Sequence, residues 1–124
     1  MKILLDTNFI LTCAKKKIDF VSRADEIFDS SIEWFVPEEV ILELKKIGEG
    51  RGEKIVDRQA AKLGLKLLDN INRVELGTEV VDDGIVSFLK KQKEEFVLAT
   101  FDRVLKKRVD VKILSIQGKS LKLV

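Results

Sequence analysis

The sequence predicts an α/β domain built on a mainly parallel sheet. Two observations carry that expectation. Short apolar runs alternate along the chain with longer stretches of 3.6-residue periodicity. That alternation builds βαβ units and hence parallel strands. Finally, the two clearest runs end alike: Ile3-Leu4-Leu5 leads into Asp6-Thr7-Asn8, and Phe96-Val97-Leu98-Ala99 leads into Thr100-Phe101-Asp102. Asp, Thr and Asn favour helix starts. Each run therefore places a carboxylate where a strand ends and a helix begins, the edge at which open α/β sheets bind ligands. Simple helix capping by Asp6 is the competing reading.

Taken in order, residues 3–5 form the first strand and residues 7–14 the first helix, followed by Lys15-Lys16-Lys17. Asp19 caps a second helix, with Phe20, Ala24, Ile27 and Phe28 on one face. Trp34-Phe35-Val36 is a strand that Pro37 ends. Pro37 suits the first turn of a third helix over residues 37–47, with Glu38 and Glu39 beside its N-terminal dipole. Val40, Leu44 and Ile47 mark its buried stripe, and Glu43 shares that inward side. An acid there needs a partner or a metal; Glu39, one turn earlier, is its rival. Gly48, Gly50 and Gly52 mark a loop carrying Arg51 and Lys54.

Residues 57–71 read as a fourth helix, whose small residues Ala60, Ala61 and Gly64 permit close approach of a neighbour. Residues 73–76 form a short strand that Gly77 breaks. Asp82-Asp83 opens a fifth helix, either as dipole caps or as part of a site. After the strand at residues 96–99 comes a basic helix over residues 103–108. Residues 111–114 are a last parallel strand, and residues 121–124 add a short edge strand.

Composition narrows the chemistry. The 124 residues suit one domain with a real core, and 45% apolar with 35% charged residues describes a soluble globular chain. No apolar run approaches the roughly 20 residues of a membrane span. A single Lys2 before a short run that meets Asp6 at once is not a signal peptide. With one cysteine, Cys13, no internal disulfide forms, and the expected location is the cytoplasm. The absence of His excludes imidazole catalysis and His metal sites, and one Cys excludes a thiolate zinc cluster. Oxygen donors remain, which suit Mg²⁺ or Mn²⁺. The net charge of +2 names no partner. The basic clusters at Lys15–Lys17, Lys45-Lys46, Lys90-Lys91 and Arg103 with Lys106-Lys107-Arg108 are solvated faces or a phosphate-binding rim.

In a parallel sheet, Asp6, Glu43, the Asp82/Asp83 pair and Asp102 converge. Like charges this close need a cation. Divalent ions held there can polarise a phosphate and lower the pKa of an attacking water, the chemistry of phosphodiester hydrolysis. A haloacid-dehalogenase-like phosphatase would need Asp-x-Asp after the first strand, where Asn8 stands. A response-regulator receiver would need an acidic pair near that strand's end, which is also missing.

The segments LLDTNFI, VPEEVILEL, VDDGIV and VLATFDRVLKKR, in that order and spacing, resemble the PIN-domain nucleases over essentially the whole chain. The resemblance implies a three-layer α/β/α sandwich with a mainly parallel sheet of about five strands, in a single PIN-like nuclease domain spanning residues 1–124. It implies a Mg²⁺- or Mn²⁺-dependent endoribonuclease, acting in ribosomal RNA processing or as a VapC-type toxin. The alternative is a catalytically inactive PIN scaffold that binds RNA or a protein partner. Catalytic and metal-holding roles fall on Asp6, Glu43, Asp83 with Asp82 second, and Asp102. Asn8 and Thr100 are implied as support, Asn8 holding the first Asp. Family members usually carry Asn or Arg where Phe101 stands. Arg51, Lys54 and Arg103 are expected to contact RNA. Expected partners are RNA, an antitoxin or ribosome-assembly protein, and a second copy of the chain, with no membrane.

Overall fold

The computed structural model describes residues Met1–Val124. Strand β1 (Lys2–Leu5) leads into α1 (Thr7–Lys15) and α2 (Phe20–Ile27). Strand β2 (Glu33–Pro37) is followed by α3 (Glu38–Glu49) and α4 (Ile55–Leu67), then β3 (Asn72–Val74) and α5 (Val81–Lys91). Strand β4 (Phe96–Ala99), α6 (Arg103–Arg108), β5 (Lys112–Gln117) and β6 (Ser120–Leu123) complete the chain. The sheet order is β3-β2-β1-β4-β5-β6. Every neighbouring pair is parallel except β5 with β6. The sixth strand is thus the expected short edge strand, running antiparallel.

The period-2 alternation of strand side chains sorts the core into two layers. Ile3 and Leu5 of β1, with Val97 and Ala99 of β4, face a core shared with α1, α2, α3 and α4. Leu4, Phe96 and Leu98 face the other side, where Ile85 and Val86 of α5 and Leu105 of α6 cover them. Central strands apolar on both faces are what a doubly covered parallel sheet requires. The result is the expected α/β/α sandwich. On the first face, α1 and α4 pack closely: a Cβ on Gly64 would stand 2.7 Å from Cγ2 of Ile10.

Element boundaries depart from expectation for identifiable reasons. Pro37 closes β2 and occupies the N-cap position of α3. Helix α4 starts two residues early and stops at Leu67, because Asn70 adopts a left-handed φ of 67° that Asn tolerates. Strand β3 ends at Val74, before Leu76, since the Leu76 and Gly77 N–H groups donate to the Glu39 carboxylate at 3.1 Å each.

Chain order places the site. From β1 the sheet grows outward through β2 and β3, then the chain returns to β4 on the opposite side of β1. The order therefore reverses between β1 and β4, and a crevice forms beyond their carboxyl ends at such a switch point.

Candidate active site

Asp6 and Thr100 follow directly on β1 and β4, and the register joins them: Leu5 sits opposite Ala99. The Asp6 N–H continues the ladder to the Ala99 carbonyl at 3.0 Å. Asp6 is only 4% exposed. Its Oδ1 accepts from the Thr7 N–H at 2.8 Å as the cap of α1, and its Oδ2 accepts from the Thr100 hydroxyl at 2.7 Å. Capping and site membership, rivals in the sequence, are thus both properties of this carboxylate. Each oxygen keeps a lone pair free for a further partner. Burial pushes the Asp6 carboxyl up to about 6, against the lowering effect of the Thr100 and Thr7 bonds, and the charges of Asp82 and Glu43 add to the rise.

The Thr100 hydroxyl also accepts from the Asp102 N–H at 3.1 Å, so one side chain ties the first acid to the backbone of the last. Asp102 caps α6, its Oδ1 accepting from the Val104 and Leu105 N–H groups at 2.9 and 3.1 Å. Asn8 does not hold Asp6 directly. Its Oδ1 accepts from the Phe101 N–H at 3.2 Å and lies 3.4 Å from the Thr100 hydroxyl, so it braces the segment that holds Asp6. Phe101 points away from the acids and stacks on Phe9, ring centroids 5.4 Å apart.

Glu43 enters from α3, half-buried, and accepts from the Thr7 hydroxyl at 3.0 Å. Thr7 was missed by the sequence reading; the signal was a hydroxyl directly after the first acid, on the helix turn that faces the crevice. Glu39, the rival of Glu43, is committed elsewhere. Burial raises its carboxyl, yet N–H groups of Leu76, Glu39 itself and Gly77 outweigh that and hold it below the ordinary range.

A cleft of about 290 Å³ is lined by Asp6, Thr7, Asn8, Glu43, Asp82 and Asp102, with Leu11 as its one apolar wall. Asp82, not Asp83, faces it, which reverses the expected order of that pair. Asp83 is exposed and held by Arg108 at 2.7 Å, tying α5 to α6. The local signal was helical phase: Asp82 lies three and four residues before the buried Ile85 and Val86, whereas Asp83 precedes Val86 and the exposed Ser87. Burial and then the Asp102 charge raise the Asp82 carboxyl; Arg108 lowers it and Asp83 raises it. No Lys or Arg lines the cleft. Arg103 adjoins Asp102 at the start of α6, whereas Arg51 and Lys54 stand exposed on the α3–α4 loop and are not among the lining residues.

The donors are carboxylate, hydroxyl and amide oxygens, the set that hard divalent cations prefer. No three acids lie close enough to clasp one ion by themselves. Mg²⁺ commonly takes one or two carboxylates and keeps several waters, so the donor set fits it in that mode.

The ribonuclease VapC4 of Methanocaldococcus jannaschii is 27% identical over 108 residues, spanning 87% of this chain and 82% of that protein. The fold is similar to that of the PIN domain endonuclease Utp24, with a TM-score of 0.80 at 23% identity over 98% of this chain and 90% of that one. It is also similar to that in VapBC2 from Rickettsia felis, solved with a DNA fragment from the promoter. There the TM-score is 0.56 at 12% identity over 93% of this chain and 98% of that one. These two likenesses are of fold. A family model described as a PIN-like domain matches residues 3–119, and with the sheet order and the acids at its switch point, the chain belongs to that family.

Proposed function

We propose that residues 1–124 form one PIN-like nuclease domain that cleaves RNA phosphodiester bonds by divalent-metal-dependent hydrolysis. The observation that supports this most is the cleft at the β1/β4 switch point, which Asp6, Glu43, Asp82 and Asp102 line together and no Lys or Arg lines. That arrangement is electrostatically costly unless a cation offsets it.

Asp6 and Asp82 are the residues that would hold Mg²⁺ or Mn²⁺, with Glu43 and Asp102 completing the acidic wall. Asp83 is assigned the pairing with Arg108 instead. The bound ion supplies charge neutralisation at a phosphate and a lowered water pKa. The chain does the positioning. Thr100 fixes the Asp6 carboxylate by its 2.7 Å bond, and Thr7 fixes Glu43 at 3.0 Å. The two carboxylates therefore present defined oxygens at the cleft and need little rearrangement when substrate arrives. Asp102, anchored to the first turn of α6 through Oδ1, leaves Oδ2 free to take a hydrogen bond or a proton from substrate or water.

Ribosomal RNA processing and a toxin's action are the two biological settings proposed, and the likeness to the ribonuclease VapC4 supports RNA cleavage in either. RNA is the substrate partner in both. An antitoxin, a ribosome-assembly protein or a second copy of the chain is the proposed protein partner. The proposed location is the cytoplasm; no helix is long and apolar enough to cross a membrane. The test is cleavage of labelled single-stranded RNA with Mg²⁺ or Mn²⁺, with chelator, and with Asp82→Asn. Cleavage that needs metal and is lost in the variant is expected. Undiminished cleavage in excess chelator would refute the metal reading, and RNA binding without cutting would favour the inactive scaffold.

A further inference from the structure

The cleft poses a physical problem: a wall of four acids repels a polyanion, and none of its lining residues is basic. Affinity for a nucleic-acid strand must come from cations nearby. A second cavity of about 280 Å³ lies between α5 and the segment that joins α6 to β5. Its floor is apolar, made by Val86, Leu89, Val109 and Val111. Lys90 from α5 and Lys107 and Arg108 from α6 rise around it, with Asp110 as the one acid. Arg108 is engaged by Asp83, but neither Lys90 nor Lys107 takes part in an ion pair. Two free ammonium groups from separate elements thus converge over apolar surface.

The groove and the acidic cleft share no lining residue, but both draw on α5. Asp82 and Asp83 occupy the first turn of α5, and Lys90 lies about two turns further along the same helix, roughly 10 Å by helical rise. Arg108 spans the interval, lining the groove while reaching Asp83. A cationic groove with apolar surface that leads away from a cutting site suits a single strand: phosphates meet ammonium groups while bases rest on the floor.

We propose that this α5/α6 groove is an RNA-binding exosite, in which Lys90 and Lys107 hold phosphates of the strand beyond the scissile bond. The proposal rests on the nuclease reading and adds a binding track that the cleft residues do not supply. It also makes Arg108 a divider, neutralising Asp83 where the strand passes from acids to cations.

The test is fluorescence anisotropy of a labelled twelve-residue oligouridine in chelator, titrated over a salt series. The proteins compared are the parent, K90A/K107A, and the control K62A/K66A, which removes the same charge from α4. Losing two phosphate contacts should shallow the log–log salt slope by about 1.4, at about 0.7 per contact for a single strand. The control should keep the parent slope. Poly-glutamate of equal charge should compete weakly. An unchanged slope in K90A/K107A, an equal change in the control, or full competition by poly-glutamate would each overturn the exosite. Parent protein that cuts RNA while K90A/K107A keeps its slope would sink the groove alone. Groove-dependent binding by a parent that never cuts would sink the nuclease reading alone.

Discussion

Replacing Asp6 by Asn should stabilise the metal-free protein at neutral pH while removing its proposed activity. The carboxyl ordinarily titrates near 3.8 and is pushed up to about 6 in the fold, mainly by burial. Folding therefore favours the protonated form. Stability from this group is fully present below pH 3.8 and is lost as pH rises through about 6. A rise of about two pH units corresponds to about 3 kcal/mol. At 4% exposure, solvent screening removes little of it. Asn keeps an acceptor for the Thr7 N–H but presents an NH₂ or loses its second acceptor toward Thr100, a cost of about 1 kcal/mol. The net gain at pH 7 is about 2 kcal/mol, or about 8 °C in Tm for a domain of this size. Thermal or urea unfolding of parent and variant in chelator from pH 4 to 8 reads it, because titrations shared by both proteins cancel in the difference. The variant's advantage should shrink to zero or reverse near pH 4. Added Mg²⁺ should also shrink it, since only the parent gains from binding at that acid. Equal stability at every pH, or a loss at pH 7, would refute the assignment of a buried, charge-crowded carboxylate.

Asp82→Asn should lower RNA cleavage at least a hundredfold, while Asp83→Asn retains it within severalfold; single-turnover assays on the same RNA distinguish them, and the opposite pattern would restore Asp83 as the principal acid. Thr100→Val should cost about 1–3 kcal/mol, because it removes the donor to Asp6 and strands the Asp102 N–H, and urea unfolding measures the loss. Gly64→Ala should cost about 1–3 kcal/mol by driving a methyl into Ile10, despite the better helix propensity of Ala; a neutral result in thermal unfolding would mean that α1 and α4 separate freely.

Much of this architecture is legible in the sequence because strand ends announce themselves. Residues 3–5 and 96–99 are apolar on both faces, and each stops at a segment carrying Thr and Asp, so Asp6, Thr100 and Asp102 fall at strand or helix termini by local reasoning alone. What local pattern cannot supply is adjacency. Nothing near Asp6 reveals that β4 rather than β3 lies beside β1, yet that order creates the 2.7 Å bond between residues 94 apart. Direction within a helix turn is the other hidden quantity. One residue rotates a side chain by about 100°, so an adjacent pair such as Asp82 and Asp83 must diverge, and packing decides which turns inward. The same competition shortened β3. The local pattern extends a strand to Leu76, but a carboxylate 37 residues earlier takes that N–H. Glu39 and Glu43 show the consequence on one helix. Four residues apart and on one side, they serve different segments, because Thr7 at the start of α1 stands opposite one and Leu76 in the β3–α5 loop opposite the other. A carboxylate's role in this fold is therefore set by the donor facing it, and donors can be located only once the sheet order is known.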